Sequence, residues 1–175
     1  LELYEDAISA DEADELLGWC RGQFDAGQSH RLAGETFMQA TSRASSKATR
    51  RGRQVLQYGV YYDYAGRRIA PEVEVEPMPD ILTTLARKLV ERRVLPSDLS
   101  PPDSCIVNHY SPFDCIPPHI DHTDYPRPFC TLSLLSSGTI LFDEQIACIE
   151  TRSGDTKYEA SKSILLQPRS VLVLG

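Results

Sequence analysis

Apolar positions divide the chain into a helical first part and a second part built from short alternating runs. Ser9 with Glu12 three residues on makes a capping box, and Ala13, Leu16, Leu17, Cys20 and Phe24 then mark one face of a helix ending near Gly27. A polar stretch follows to about Gly52 and reads as loop. From Gln54 to Tyr64 the pattern alternates, which predicts a strand with Leu56, Tyr58, Val60, Tyr62 and Tyr64 on one face. Pro71 to Pro79 interleaves Val and Glu with prolines and reads as an extended connector. A second helix is expected from Pro79-Asp80, with Ile81, Leu82, Leu85 and Leu89 buried. Arg92 and Arg93 would complement its C-terminal dipole, and Pro96 would close it.

Beyond residue 100 the period shortens. Cys105–Tyr110, Phe129–Leu135, Thr139–Phe142, Ile146–Glu150, Ser163–Leu166 and Val171–Leu174 are short β-type runs separated by turn residues. Strands at this spacing suggest a sandwich or jelly roll. The predicted class is α+β, mostly β, with two supporting N-terminal helices.

Composition adds less. The chain has 175 residues, one domain's worth, with 41% hydrophobic and 25% charged positions. No apolar run approaches the roughly 18 residues of a membrane span. The N-terminus is not a secretory signal, and the five cysteines include no C-x-x-C pair. Those features suit an intracellular protein, in nucleus or cytoplasm, without a disulfide framework. The net charge of −7 disfavours a generic nucleic-acid coat, yet Arg43, Lys47, Arg50, Arg51 and Arg53 cluster where no acid occurs. That stripe reads either as a solvated loop or as a track for a phosphate backbone.

One segment carries candidate chemistry: Asn108-His109-Tyr110, then Pro117-Pro118-His119-Ile120-Asp121. On an extended segment His119 and Asp121 face one way and Ile120 the other. Two histidines and a carboxylate on one face, with further positions open, select non-haem iron(II) in oxygenases. By the same parity Asn108 and Tyr110 lie together, opposite Cys105, Val107 and His109, where they could hydrogen-bond a small dicarboxylic acid. A zinc alternative, Cys115-x₃-His119-x₂-His122, is opposed by Pro117-Pro118, which forbids the helical turn that would gather those ligands.

Asn108-x-Tyr110, His119-Ile-Asp121, Arg127-Pro128-Phe129, Ser133-Leu-Leu and Ile140-Leu-Phe, in this order, resemble the AlkB family of iron(II)/2-oxoglutarate dioxygenases. The closest likeness is to the eukaryotic branch that removes the methyl of N6-methyladenosine in RNA. Arg53 to Gly59 with Tyr62 and Pro71 to Pro77 extend the resemblance over nearly the whole chain. It implies residues 1–175 as a single AlkB-like domain: 1–100 with the helices and nucleotide-recognition segment, 101–175 an incomplete double-stranded β-helix (jelly-roll) core lacking its C-terminal strands. It implies Fe(II) held by His119 and Asp121, and 2-oxoglutarate contacted by Asn108 and Tyr110. Tyr62 becomes the active-site aromatic lining the nucleotide pocket, and Arg43, Lys47, Arg50, Arg51 and Arg53 become nucleic-acid contacts. Arg127 is structural or substrate-side.

The implied substrate is an N-methylated base in single-stranded RNA, or DNA, with no membrane partner. The resemblance also implies a later histidine and a co-substrate arginine. None of the four histidines follows His122, and Arg169 precedes the strand that such an arginine should follow. The expectation is a chain inactive or nearly so, from an active full-length parent. Alternatives are an oxygenase of the same fold acting on protein or small molecules, and a non-catalytic RNA-binding protein.

Overall fold

The computed structural model describes residues 1–41, 51–98, 100–112, 114–150 and 156–175. Its elements run β1 (Glu2–Tyr4), α1 (Ala10–Gln28), β2 (Phe37–Thr41), β3 (Arg51–Tyr58), β4 (Tyr62–Asp63), β5 (Arg68–Ile69), α2 (Asp80–Glu91), β6 (Cys105–His109), β7 (Phe129–Leu132), β8 (Gly138–Phe142), β9 (Ala147–Glu150), β10 (Thr156–Glu159), β11 (Lys162–Leu166) and β12 (Val171–Leu174). The chain is mostly β with two helices, as its periodicity predicts.

Two antiparallel three-stranded sheets organise it, in the orders β2-β3-β6 and β1-β12-β7. Three further pairs, β8 with β11, β9 with β10 and β4 with β5, complete the described strands. Both main sheets join the two halves of the sequence: Tyr58 pairs with Cys105, and Glu2 pairs with Val173. Residue 100 therefore marks a change of pattern and not a seam between packed units.

α1 begins as its sequence dictates. The Ser9 side chain accepts from the Glu12 amide at 3.2 Å, and Glu12 accepts from the Ser9 amide at 2.8 Å. Its stripe of Ala13, Leu16, Cys20 and Phe24 packs into one core with Leu56 and Tyr58 of β3, Leu82 and Leu89 of α2, and Val171 and Val173 of β12. Gly27 lies inside the helix, which continues to Gln28; its lack of a side chain gives room to Phe37, whose ring a Cβ there would strike. The residue expected to stop the helix instead lets β2 pack on it.

Other expectations change where tertiary contacts outweigh local pattern. β2 forms inside the polar stretch read as loop, because it pairs along β3 from Phe37↔Leu56. The single strand expected from Gln54 to Tyr64 ends at Tyr58. Gly59, at φ +82, makes a bend where any Cβ would collide with the Asp103 carbonyl. Val55 and Gln57 are as buried as Leu56 and Tyr58, so this central strand is covered on both faces. β1 and β10, absent from the sequence reading, are set by their partners β12 and β9.

Arg92 does more than complement a dipole. Its Nη2 lies 2.9 Å from Glu12 Oε1, its Nη1 2.9 Å from Glu12 Oε2, and Lys88 Nζ lies 2.8 Å from Glu12 Oε1. The carboxylate that caps α1 thereby also ties α1 to α2. Arg92 first, then Lys88 and the Ser9 amide, hold the Glu12 carboxyl well below its ordinary range. A lowered folded value means the stabilisation is present above the unfolded carboxylate value of about 4.3 and is lost as pH falls below it. Glu12→Gln should cost about 1 kcal/mol near neutrality, since both cations are partly solvated. The wild-type advantage should shrink in urea melts as pH drops from about 5 toward 3; a gap independent of pH would contradict this.

Candidate active site

The pleat of β3 and β6 sorts their side chains onto two faces. Gln54 lies opposite His109, Leu56 opposite Val107 and Tyr58 opposite Cys105. This face meets α1: Trp19 lies 5.6 Å from the Tyr58 ring, Phe24 5.4 Å from His109, and Tyr58 Oη donates to Gln23 Oε1 at 3.1 Å. Burial pushes the Cys20 thiol up to about 11 and Cys105 up to about 12, so neither is a ready nucleophile. His109 hydrogen-bonds Gln54 at 3.2 Å on this face, away from Asn108, as parity requires.

The other face carries Arg53, Val55, Gln57 and Asn108. Arg53 Nε donates to Asn108 Oδ1 at 2.9 Å, and its guanidinium stands 5.4 Å from the Tyr64 ring centre. Arginine has only donors, so the amide oxygen must face it, leaving the Asn108 NH₂ group for another acceptor. Arg53 was grouped with the basic stripe by its spacing. Its side chain is instead turned onto the Asn108 face, because the strand's alternation aims it there. Of the remaining stripe, Arg43, Lys47 and Arg50 lie outside the described residues, and Arg51 begins β3.

Gln57 is fully buried, and its amide grips the Tyr62 peptide. Tyr62 N donates to Gln57 Oε1 at 2.7 Å, and Gln57 Nε2 reaches Tyr62 O at 3.4 Å. The ring thus anchored sits 5.1 Å from Tyr64, 5.8 Å from Tyr125 and 6.3 Å from His122. Contacts run without a gap from Asn108 through Arg53, Tyr64 and Tyr62 to Tyr125. Desolvation raises the Tyr125 phenol to about 12, and the nearby Tyr64, Tyr62, Asp121 and Asp124 push the same way. Tyr110, just past β6, is likewise pushed up to about 12, by desolvation first and against the pull of Arg53. Both phenols keep their protons at neutral pH and can donate.

His119-Ile120-Asp121 lies on the connector between β6 and β7, not in the strand that its alternation predicts. Locally it is still extended enough to separate faces: His119 Nε2 is 3.3 Å from Asp121 Oδ1, while Ile120 is 94% exposed. The Pro117 carbonyl, 2.9 Å from His119 Nδ1, can only accept, so Nδ1 donates to it and Nε2 is the nitrogen turned toward Asp121. Such a carbonyl brace is what orients metal-binding imidazoles. An imidazole nitrogen and a carboxylate oxygen side by side fit two adjacent positions around a divalent ion. Among the described residues no group of three His, Cys, Asp or Glu converges, so the zinc set Cys115, His119 and His122 is not assembled. His122 instead faces Asp124, 3.2 Å away. Arg127 lies on the Phe129 ring at 4.3 Å, a packing contact.

A β-rich frame that carries a His-x-Asp pair together with amide and phenol donors has the donor chemistry of a non-haem iron oxygenase. The family model described as "2OG-Fe(II) oxygenase superfamily" matches residues 1–175, and the chain belongs to that superfamily. Within it the chain is of the AlkB type. RNA demethylase ALKBH9B of Arabidopsis thaliana is 39% identical over 182 residues, covering 100% of this chain and 34% of that protein. RNA demethylase ALKBH10B of the same plant is 24% identical over 180 residues, covering 99% and 30%. RNA demethylase ALKBH5 of Xenopus laevis is 34% identical over 77 residues, covering 43% and 21%. The chain spans about a third of the length of the first two of these relatives.

Gln57, Tyr64 and Tyr125 were not read as site residues from sequence, and Arg53 was read as a nucleic-acid contact of the basic stripe, not as a partner of Asn108. Parity would have found Arg53 once β3 was paired with β6, since it shares a face with Val55, which lies opposite Asn108. Gln57→Leu should cost about 1–3 kcal/mol, because it leaves the Tyr62 amide buried without its partner. Chemical denaturation measures that loss, and a neutral substitution would show that the Tyr62 turn does not depend on this amide.

Proposed function

We propose that this chain is the greater part of an Fe(II)/2-oxoglutarate-dependent demethylase domain acting on N-methylated bases in single-stranded RNA, N6-methyladenosine first among them. The observation that carries the reading is the braced His119–Asp121 pair, on a connector whose His122 lies 6.3 Å from the Tyr62 ring. The similarity to RNA demethylases supports the RNA substrate. The jelly-roll core is part of the proposal, since the described strands are those of a mostly β frame.

In this reading His119 Nε2 and Asp121 Oδ1 hold the iron. The described residues supply two of the three ligands such a centre uses. The Asn108 NH₂ and the protonated Tyr110 hydroxyl face the carboxylates of 2-oxoglutarate, with Arg53 fixing the Asn108 amide by its oxygen. Iron with 2-oxoglutarate and O₂ would supply the oxidation of the N-methyl carbon, which leaves as formaldehyde while 2-oxoglutarate becomes succinate and CO₂. The protein's part is to position the base and exclude water. A base must leave its stack to reach the metal, and single strands make that least costly. Tyr62 and its neighbours offer the stacking surface, worth about 1–3 kcal/mol per base in single-strand binders. Arg43, Lys47, Arg50 and Arg51 would follow the phosphates.

With two iron ligands among its described residues, the 175-residue chain is expected to turn over weakly or not at all, and a full-length parent that supplies the third ligand to be active. Formaldehyde release from a short N6-methyladenosine RNA, with iron(II) and 2-oxoglutarate, tests both. In the parent, His119→Ala or Asp121→Asn should lower the rate beyond the about 10–100-fold typical of outer-shell changes at metal sites. A parent that consumes 2-oxoglutarate but leaves the methylated RNA intact would point to a protein or small-molecule substrate instead.

A further inference from the structure

The connector between β6 and β7 carries the proposed iron ligands, yet it belongs to no sheet. Among the described residues, each hydrogen bond and ion pair of positions 111–127 is made within the connector itself. His119 and Asp121 are both about half exposed. Local bracing thus sets how these two groups stand to each other, but not where they stand against the fold. That placement comes from a single stretch. From Pro117 to Arg127 every residue is exposed except His122 and Tyr125. Both rings are turned onto Tyr62, at 6.3 Å and 5.8 Å between centres. They share a side because the chain turns between them: the Tyr125 amide donates to the His122 carbonyl at 3.2 Å, and the Asp124 amide to His122 Nδ1 at 3.2 Å. Tyr62 is itself tied through its peptide to the buried Gln57 of β3. The turn begins at the residue after Asp121, so contacts lead from a core strand to the chain that bears the metal pair.

We infer that Tyr125 is a positioning residue: by packing on Tyr62 it sets where the His119–Asp121 connector stands, and so how tightly the pair takes a divalent cation. The inference rests on the proposed iron reading and names what holds that site in place. The ring carries the role, not the phenol. The Tyr125 hydroxyl is buried without a hydrogen-bond partner among the described residues, so removing it breaks no bond and spares an unsatisfied group. Removing the ring instead frees the turn from Tyr62. The exposed connector must then be ordered by the ion as it binds, and that ordering weakens affinity. His122 shares the contact with Tyr62, but its ring is the more distant of the two and stands less parallel, at 58° against 40° for Tyr125.

Manganese(II) binding to the full-length parent, followed by loss of the free-ion electron paramagnetic resonance signal, reads this role without turnover. Tyr125→Leu should weaken the manganese Kd about tenfold, the lower end of what outer-shell changes at metal sites produce. Tyr125→Phe, which keeps the ring, should leave it unchanged. Tyr62→Leu removes the same contact from the other side while keeping the Gln57 bonds to the Tyr62 peptide, and should weaken manganese to a similar degree. It also keeps the test standing if Tyr125→Leu fails to fold. The double variant should bind no more weakly than either single one, since both act through one contact. Unchanged manganese binding in Tyr125→Leu overturns the inference, and so do equal losses in Tyr125→Phe and Tyr125→Leu or fully additive losses in the double variant. His119→Ala separates this inference from the reading beneath it. Manganese binding that survives His119→Ala removes the iron site itself; binding lost there but intact in Tyr125→Leu sinks the role of Tyr125 alone.

Discussion

The antiparallel register of β3 against β6 is the constraint on which the site depends. Pairing Leu56 with Val107 and Val55 with Asn108 decides, through the pleat alone, which side chains meet α1 and which meet Tyr62 and Tyr64. A slip of β3 by one residue would turn Leu56 and Tyr58 away from α1 and bring Arg53, Val55 and Gln57 to the helix-packed face. The core thus enforces the site. Leu56, Tyr58, Cys20 and Phe24 hold the strand in a register that has no tolerance for displacement, and the polar face is aligned as a consequence.

On that polar face, order is passed on by hydrogen bonds and not by close packing. Gln57 is a buried amide whose two ends are both satisfied by the Tyr62 peptide. The bend at Gly59 lets the chain double back so that this contact can form. Asn108 is oriented by Arg53, and His119 by the Pro117 carbonyl. Asn108 and His119 are thereby each held by one neighbour that orients the side chain. Such outer contacts commonly decide the performance of metal sites.

The electrostatics follow the same division. Phenols that stand near the site, Tyr110 and Tyr125, are kept protonated by desolvation and by neighbouring groups, so they serve as donors throughout the neutral range. The buried thiols Cys20, Cys105 and Cys130 are kept protonated by burial and are structural. The strongly lowered Glu12 carboxyl lies far along the chain from this chemistry and serves the α1–α2 joint. Perturbed groups here therefore mark structure as often as chemistry, and geometry separates the two.

Periodicity and short-range chemistry determined a good deal by themselves. The capping box of α1, the extent of α2, the positions of most late strands and the common facing of His119 and Asp121 about an outward Ile120 all follow from interactions within a few residues. Tertiary structure decided the rest. β2 exists because β3 is beside it, and Gly27 matters because Phe37 arrives from ten residues on. Arg53 joins Asn108 only across a strand pair whose members are 55 positions apart. Tyr125 meets Tyr62 across a still longer span of chain. Local pattern records which way a side chain leaves its own backbone. Which group waits on the other side depends on register and packing, and these are properties of the assembled fold.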